Sequence, residues 1–144
     1  MCRGFCSGLA RPSKEPKSLS CFERAWSAVS CPRCEPQFFG YAPVEAANVA
    51  LARAGLGWGD VAAIELNEAF AAQSLACVRG WDVDPAIVNA HGGAIAIGHP
   101  LGASGTRILG TLARSLAASG QRWGVAAICI GVGQGLAVVL ENVA

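Results

Sequence analysis

From Phe38 onward the chain alternates helix-period and strand-length apolar segments, most of them closed by a glycine, and few folds accept that order. Pro43 stands where a helix begins, at a position that needs no N–H donor. Val44, Ala47, Leu51 and Ala54 follow at helical spacing, and Gly55 stops the run. Residues 61–66 form a short apolar run of strand length. Asn67 is a good N-cap for a second helix, in which Ala71, Leu75 and Val78 share a face and Gly80 marks the end. Ile87 and Val88 are strand-like. Ile108, Leu109, Leu112 and Leu116 predict a third helix, stopped by Gly120. Residues 123–130 and 136–140 read as two strands joined by a glycine turn, and so as antiparallel neighbours. Helices alternating with strands predict an α/β layered domain.

Residues 1–37 differ in kind. They sustain no period of 2 or 3.6 and are interrupted by Pro12, Pro16, Pro32 and Pro36. They hold six basic groups against three acids, whereas the remainder holds five arginines, no lysine and seven acids. Five of the seven cysteines lie here, namely Cys2, Cys6, Cys21, Cys31 and Cys34. This stretch is expected to be a poorly ordered or non-native leader, with residues 22–29 able to form a short helix. Frequent Arg and Ser leave a transit peptide as the other reading. The domain itself is expected to span 38–144.

Several function classes fall away. A net charge of +1 offers no basic field for nucleic acid. No apolar run approaches the roughly 20 residues needed to cross a bilayer. The long run 125–140 is broken by Gly131, Gly133 and Gly135. An odd number of cysteines in an apolar chain suits a reducing, intracellular setting, and a cytoplasmic location is expected.

Three blocks carry chemistry-bearing residues. The first runs Asn67-Glu68-Ala69-Phe70-Ala71, at a strand-to-helix junction. The second runs from Asn89 to Gly105 and holds His91 and, between glycines, His99-Pro100. The third is Cys129-Ile130-Gly131-Val132-Gly133-Gln134-Gly135, at a strand end. Singly, each has a plain reading: an N-cap, a loop histidine, a buried small thiol. The glycine-rich stretch lacks the lysine and spacing of a phosphate-binding loop. Together, a histidine, a thiol and an amide beside free N–H donors suit acyl-transfer or carbanion chemistry.

These blocks resemble the thiolase family. The N-E-A-F-A, the G-G-A-I-A-I-G-H-P-L-G-A-S-G and the C-I-G-V-G-Q-G match its C-terminal half in order and separation, over about residues 38–144. The wording of the third block is closest to bacterial degradative thiolases, including the 3-oxoadipyl-CoA type. The resemblance implies the C-terminal half of the thiolase fold, a mixed five-stranded sheet layered with helices and incomplete at its N-terminal edge. It implies cleavage of a 3-oxoacyl-CoA by CoA, or the reverse Claisen condensation. It assigns roles by matched position. His99 activates the nucleophilic cysteine and helps hold the thioester oxygen. Asn67 positions a water in that oxyanion site. Cys129 is the second catalytic cysteine, an acid/base for the acetyl-CoA α-carbon, and Gly131 lends an N–H to the second oxyanion hole. The implied substrates are acyl-CoA and CoA, with no cofactor and no metal. The implied partners are a missing N-terminal thiolase half or further copies of the chain, with no nucleic acid and no membrane.

The chain also departs from the family. The family's acyl-accepting cysteine lies upstream of the Asn block, where this chain has only leader cysteines. Cys6-Ser7-Gly8-Leu9 echoes the family's C-x-S-G-L turn but is one residue short. Cys31-Pro32-Arg33-Cys34 has C-x-x-C spacing without a second pair. His91 falls where the family commonly has asparagine, and no role is assigned to it. The alternatives to a catalytic half are a non-enzymatic fragment and a CoA- or thiolase-binding module.

Overall fold

The computed structural model describes residues 26–143. The Cys6–Leu9 echo and the cysteines at 2, 6 and 21 lie outside them. Four strands form one mixed sheet, in the spatial order β1-β4-β3-β2. They are β1 (Trp26–Ser30), β2 (Ala63–Leu66), β3 (Trp123–Gly131) and β4 (Gln134–Glu141). The helices are α1 (Ala42–Ala54), α2 (Ala71–Trp81), the single turn α3 (Ala94–Ile97) and α4 (Ser104–Ser119).

β3 and β4 pair antiparallel, as the glycine turn predicts, while β2 runs parallel to β3. Both faces of this sheet are covered, which is why β3 and β4 read as nearly continuous apolar runs instead of alternating ones. Val125 and Ala127 of β3, with Ala137 and Val139 of β4, pack on Val44, Ala47, Ala50 and Leu51 of α1. Ala126, Val138 and Leu140 point the other way, onto Ile108, Leu112 and Leu116 of α4. Burying each such Leu or Ile side chain stabilises the fold by roughly 1.5–3 kcal/mol. The three α4 residues lie at i, i+4 and i+8, the spacing from which that helix was predicted.

The leader expectation fails for residues 26–37. β1 comes from that stretch and pairs antiparallel with β4, Val29 opposite Val138 and Ser30 opposite Ala137. Ala28 packs into the core beneath α1, the Ser30 hydroxyl donates to the carbonyl of Ala46, and Arg53 donates to the carbonyl of Val29. A five-residue strand whose partner lies over a hundred residues away leaves no local period to read. The expected helix across 22–29 is therefore a strand from Trp26 onward, and the domain boundary expected at 37/38 does not mark a break in the fold.

Two further differences concern β2 and its neighbours. The sheet has four strands among the described residues, not five. Ile87-Val88 contributes a single parallel bridge, Val88 to Ile64, because the chain turns away at Asn89. Asn67 does not cap α2, whose N-cap is Phe70, and Gly80 lies inside that helix. The turn falls one residue after Trp81, on Asp82 in the left-handed region. Cys77 and Trp81 are the buried side chains of α2, and Leu75, expected on its inner face, is exposed.

Candidate active site

Because β2 and β3 are parallel neighbours, their carboxyl ends emerge side by side. Asn67 follows β2 directly, and its backbone N–H continues the ladder by donating to Ala127 (2.9 Å). Two residues beyond Ala127 stands Cys129. Asn67 is wholly buried, which requires its amide to find partners. It finds two. Arg107 Nη2 on α4 donates to Asn67 Oδ1 (3.3 Å), and Asn67 Nδ2 meets His99 Nε2 at 3.3 Å. His99 is half-buried, on the segment between α3 and α4. Its Nδ1 lies 2.6 Å from the hydroxyl of Ser104, the first residue of α4. Arg107, one turn further along α4, also donates to the carbonyl of Gly98 (2.6 Å) and so holds the backbone just before the histidine.

A second cluster fixes the loop that carries His99. Asn89 Oδ1 accepts from the Leu66 N–H (2.8 Å), and Asn89 Nδ2 donates to the Leu66 carbonyl (2.9 Å). The same Nδ2 donates to Glu68 (2.9 Å), whose other carboxylate oxygen accepts from the Ile95 N–H in α3 (3.1 Å). Gly93 sits where a Cβ would fall 2.5 Å from the Glu68 carboxylate, so any larger residue here would have to push that hydrogen-bonded carboxylate aside. Glu68 of the first block and Asn89 of the second therefore tie those blocks together.

Cys129 occupies the end of β3, opposite Gly135 of β4, and is nearly buried. Burial pushes its thiol pKa above the ordinary value, with its own backbone N–H pulling back. Past it the ladder shifts register, and Gly131, Val132 and Gly133 all take positive φ (98°, 49° and 76°). For a β-branched residue such as Val132 that conformation is strained, and it places the strain beside the thiol. No hydrogen bond joins Cys129 to His99 or Asn67 among the described residues. His99 and Asn67 thus form one hydrogen-bonded group, with Cys129 and Gly131 on the neighbouring strand end.

Sequence reasoning missed Arg107, Ser104 and Glu65. Ser104 and Arg107 lie i, i+3 on one helix face, at the end of the second block and just past it, and that spacing was the available signal. Glu65, in β2 two residues before Asn67, is buried, and burial raises its pKa to about 7, against a lowering pull from Arg107 and with a further rise from Glu68. Cys77, also buried, is pushed up to about 11 by burial, against the donating amide of Gln73. His91 is exposed on the turn before α3.

Residues 23–142 match the thiolase C-terminal domain family. The 3-ketoacyl-CoA thiolase of Photorhabdus laumondii is 49% identical over 122 residues, covering 83% of this chain and 31% of that protein. The 3-ketoacyl-CoA thiolase of Aliivibrio fischeri is 53% identical over 112 residues, covering 76% of this chain and 29% of that protein. Human mitochondrial 3-ketoacyl-CoA thiolase superposes with a TM-score of 0.81 at 44% identity, over 83% of this chain and 31% of the human one. A second structure of the human protein, in complex with CoA, gives 0.80 over 81% of this chain and 30% of that one. The chain thus spans about a third of the length of these relatives. By the family match and by these identities, it belongs to the thiolase family, as that family's C-terminal domain.

Proposed function

We propose that this chain is the C-terminal catalytic half of a thiolase-type acyltransferase, which cleaves a 3-oxoacyl-CoA with CoA or runs the reverse Claisen condensation. The observation that carries the proposal is the hydrogen-bonded His99–Asn67 pair beside the strand end that holds Cys129. In the cleavage direction a thiol from the companion N-terminal half attacks the 3-oxo carbon, and His99 takes the thiol's proton. The Cα–Cβ bond breaks, the acyl group stays on sulfur as a thioester, and the acetyl-CoA enolate takes a proton from Cys129. CoA thiol then attacks the acyl-thioester and gives its proton to the Cys129 thiolate, the sulfur–acyl bond breaks to release a shortened acyl-CoA, and the departing thiolate recovers the proton held by His99. A Cys129 thiol with a raised pKa keeps its proton near neutral pH and so suits the acid's part in this step. His99 with Asn67, and separately the Gly131 N–H, suit the two oxyanions, which need donors fixed in advance.

Exposed apolar side chains stand on the three segments that carry the site residues, among them Phe70, Ile95, Ile97, Leu101, Ile130 and Val132. A rim of this kind supports a companion protein segment over the site, supplied by an N-terminal half or by another copy. The test is thiolysis of acetoacetyl-CoA by the chain co-expressed with the N-terminal two-thirds of a bacterial 3-ketoacyl-CoA thiolase. Turnover is expected from the pair and not from this chain alone. Cys129→Ala should lower it by about 10²–10⁴-fold. His99→Ala should lower it by as much or more, and Asn67→Ala by less, since the amide acts through water. Full activity with Cys129→Ala, or none from the pair when both parts are folded and associated, would remove the proposal.

A further inference from the structure

Asn67 and Glu68 are consecutive residues, and they hold opposite ends of one short segment. The Asn67 amide nitrogen lies 3.3 and 3.5 Å from the two ring nitrogens of His99. The Glu68 carboxylate takes the N–H of Ile95 (3.1 Å), one helical turn before that histidine. Between the two contacts run α3 and Gly98, whose φ of 89° swings the backbone out of the helix. Gly93, the N-cap of α3, brings no side chain to the free N–H groups of that turn, so Glu68 caps it from another element.

The polarity of the Glu68 contacts is set by backbone. The Leu66 N–H can only donate and the Leu66 carbonyl can only accept, so Asn89 must turn Oδ1 to the first and Nδ2 to the second. The other hydrogen on Nδ2 goes to one Glu68 oxygen, and the Ile95 N–H goes to the other. Neither donor can turn round. The position therefore calls for two acceptor oxygens, which a carboxylate has and an amide lacks.

We propose that Glu68 is a positioning residue for His99: its carboxylate fixes the start of α3 on the end of β2 and so sets where the imidazole stands beside Asn67. The functional meaning rests on the acyl transfer proposed above, in which an imidazole displaced by about 1 Å from its working place costs about 10²-fold in rate. Glu68 need not touch the substrate.

Hydrogen exchange and NMR on the full chain test the placement without substrate. Ile95 stands in the first turn of an exposed helix, yet its N–H should exchange at least about 10-fold more slowly than its intrinsic rate, since its acceptor is charged. The Asn67 NH₂ should show a nuclear Overhauser contact with the His99 Cε1–H, which lies between the two ring nitrogens. Glu68→Gln should return the Ile95 N–H to near its intrinsic rate and weaken that contact, while exchange at Leu112 and Val125 stays as in the unaltered chain. A loss of stability alone would speed exchange at all three positions together. An unprotected Ile95 N–H in the unaltered chain overturns the proposal whether or not the variant folds. So does a folded Glu68→Gln chain that keeps the Asn67–His99 contact. With the N-terminal half supplied, Glu68→Gln should lower kcat for thiolysis by about 10- to 100-fold with less change in KM, and an unchanged kcat overturns the role as well. If the exchange and NMR results are as stated but the unaltered pair lacks thiolysis, the functional reading fails and the positioning role stands.

Discussion

Glu65 and Asn67 stand two residues apart where β2 ends, and the guanidinium of Arg107 acts on both. It donates to the Asn67 oxygen and pulls the Glu65 carboxyl back toward ionisation, yet burial wins and leaves Glu65 with a pKa of about 7. A carboxyl whose pKa is higher in the fold than in the open chain binds protons more tightly when folded. Its contribution to stability is complete below the ordinary value near 4.5 and is lost as pH rises through 7. The shift corresponds to about 3 kcal/mol between pH 4.5 and pH 8, as an order of magnitude. Urea unfolding at pH 5.5 and 8 should show lower stability at the higher pH. Glu65→Gln should flatten that difference. A stability that rises with pH and is indifferent to Glu65→Gln would contradict the assignment.

Asn89 gives up a three-way clasp if truncated. Asn89→Ala removes two bonds to the Leu66 backbone and one to Glu68, and puts alanine at a residue with φ of 48°. Each neutral bond contributes about 1 kcal/mol, and the left-handed conformation costs alanine about 1 kcal/mol more than asparagine. A loss of about 2–4 kcal/mol is expected in the urea midpoint analysis. Asn89→Asp should be no better, since it replaces the donor to Glu68 with a second negative charge.

Gly93→Ala is expected to fail more locally. The new methyl would stand 2.5 Å from a Glu68 oxygen and 2.9 Å from Asn89 Nδ2, both already held by hydrogen bonds. Forced shifts of this size cost about 1–3 kcal/mol. The amide of Ile95, which Glu68 accepts from, should exchange faster with solvent than in the unaltered chain while the α4–sheet core stays protected. Unchanged exchange at Ile95 would show that the carboxylate moves aside freely.

The described cysteines should separate sharply under alkylation. Cys31 is exposed, whereas Cys77 is wholly buried, held between Gln73 and the Gly40 carbonyl, and pushed up to about 11. Only the thiolate reacts, so at pH 8 iodoacetamide should modify Cys77 at least roughly 100-fold more slowly than Cys31, read by peptide mass spectrometry. Equal rates in the folded chain would mean that the α2 packing opens readily.

What the sequence makes legible follows from how local each signal is. α1, α4 and the β3–β4 pair carry their apolar periods within themselves, and Gly55 and Gly120 end the two helices in left-handed turns as read. β1 has no such period, because its meaning lies in β4, and Ala28 and Ser30 offer too little apolar surface to announce a buried face. Asn67 looked like a cap because asparagine after a strand usually is one, but its side chain turns inward to Arg107 and His99 instead. His99, Cys129, Asn67 and Gly131 were found through their blocks. Ser104, Arg107 and Glu65 were not, since a serine and an arginine on a helix and a glutamate in a strand have ordinary explanations until the third dimension is added.

The clasp of Asn89 on Leu66 also changes how much chain the site must hold still. Asn67 and His99 are 32 residues apart in sequence, and a loop of that length has many ways to be somewhere else. The clasp, whose two ends are 23 residues apart, closes the whole excursion through α2 at the end of β2. What remains free to wander is only the short run from Asn89 to His99, and Glu68 pins its middle at Ile95. Seen from the site, α2 is a side loop: its length and its outer surface can change without altering the distance over which the histidine must be placed.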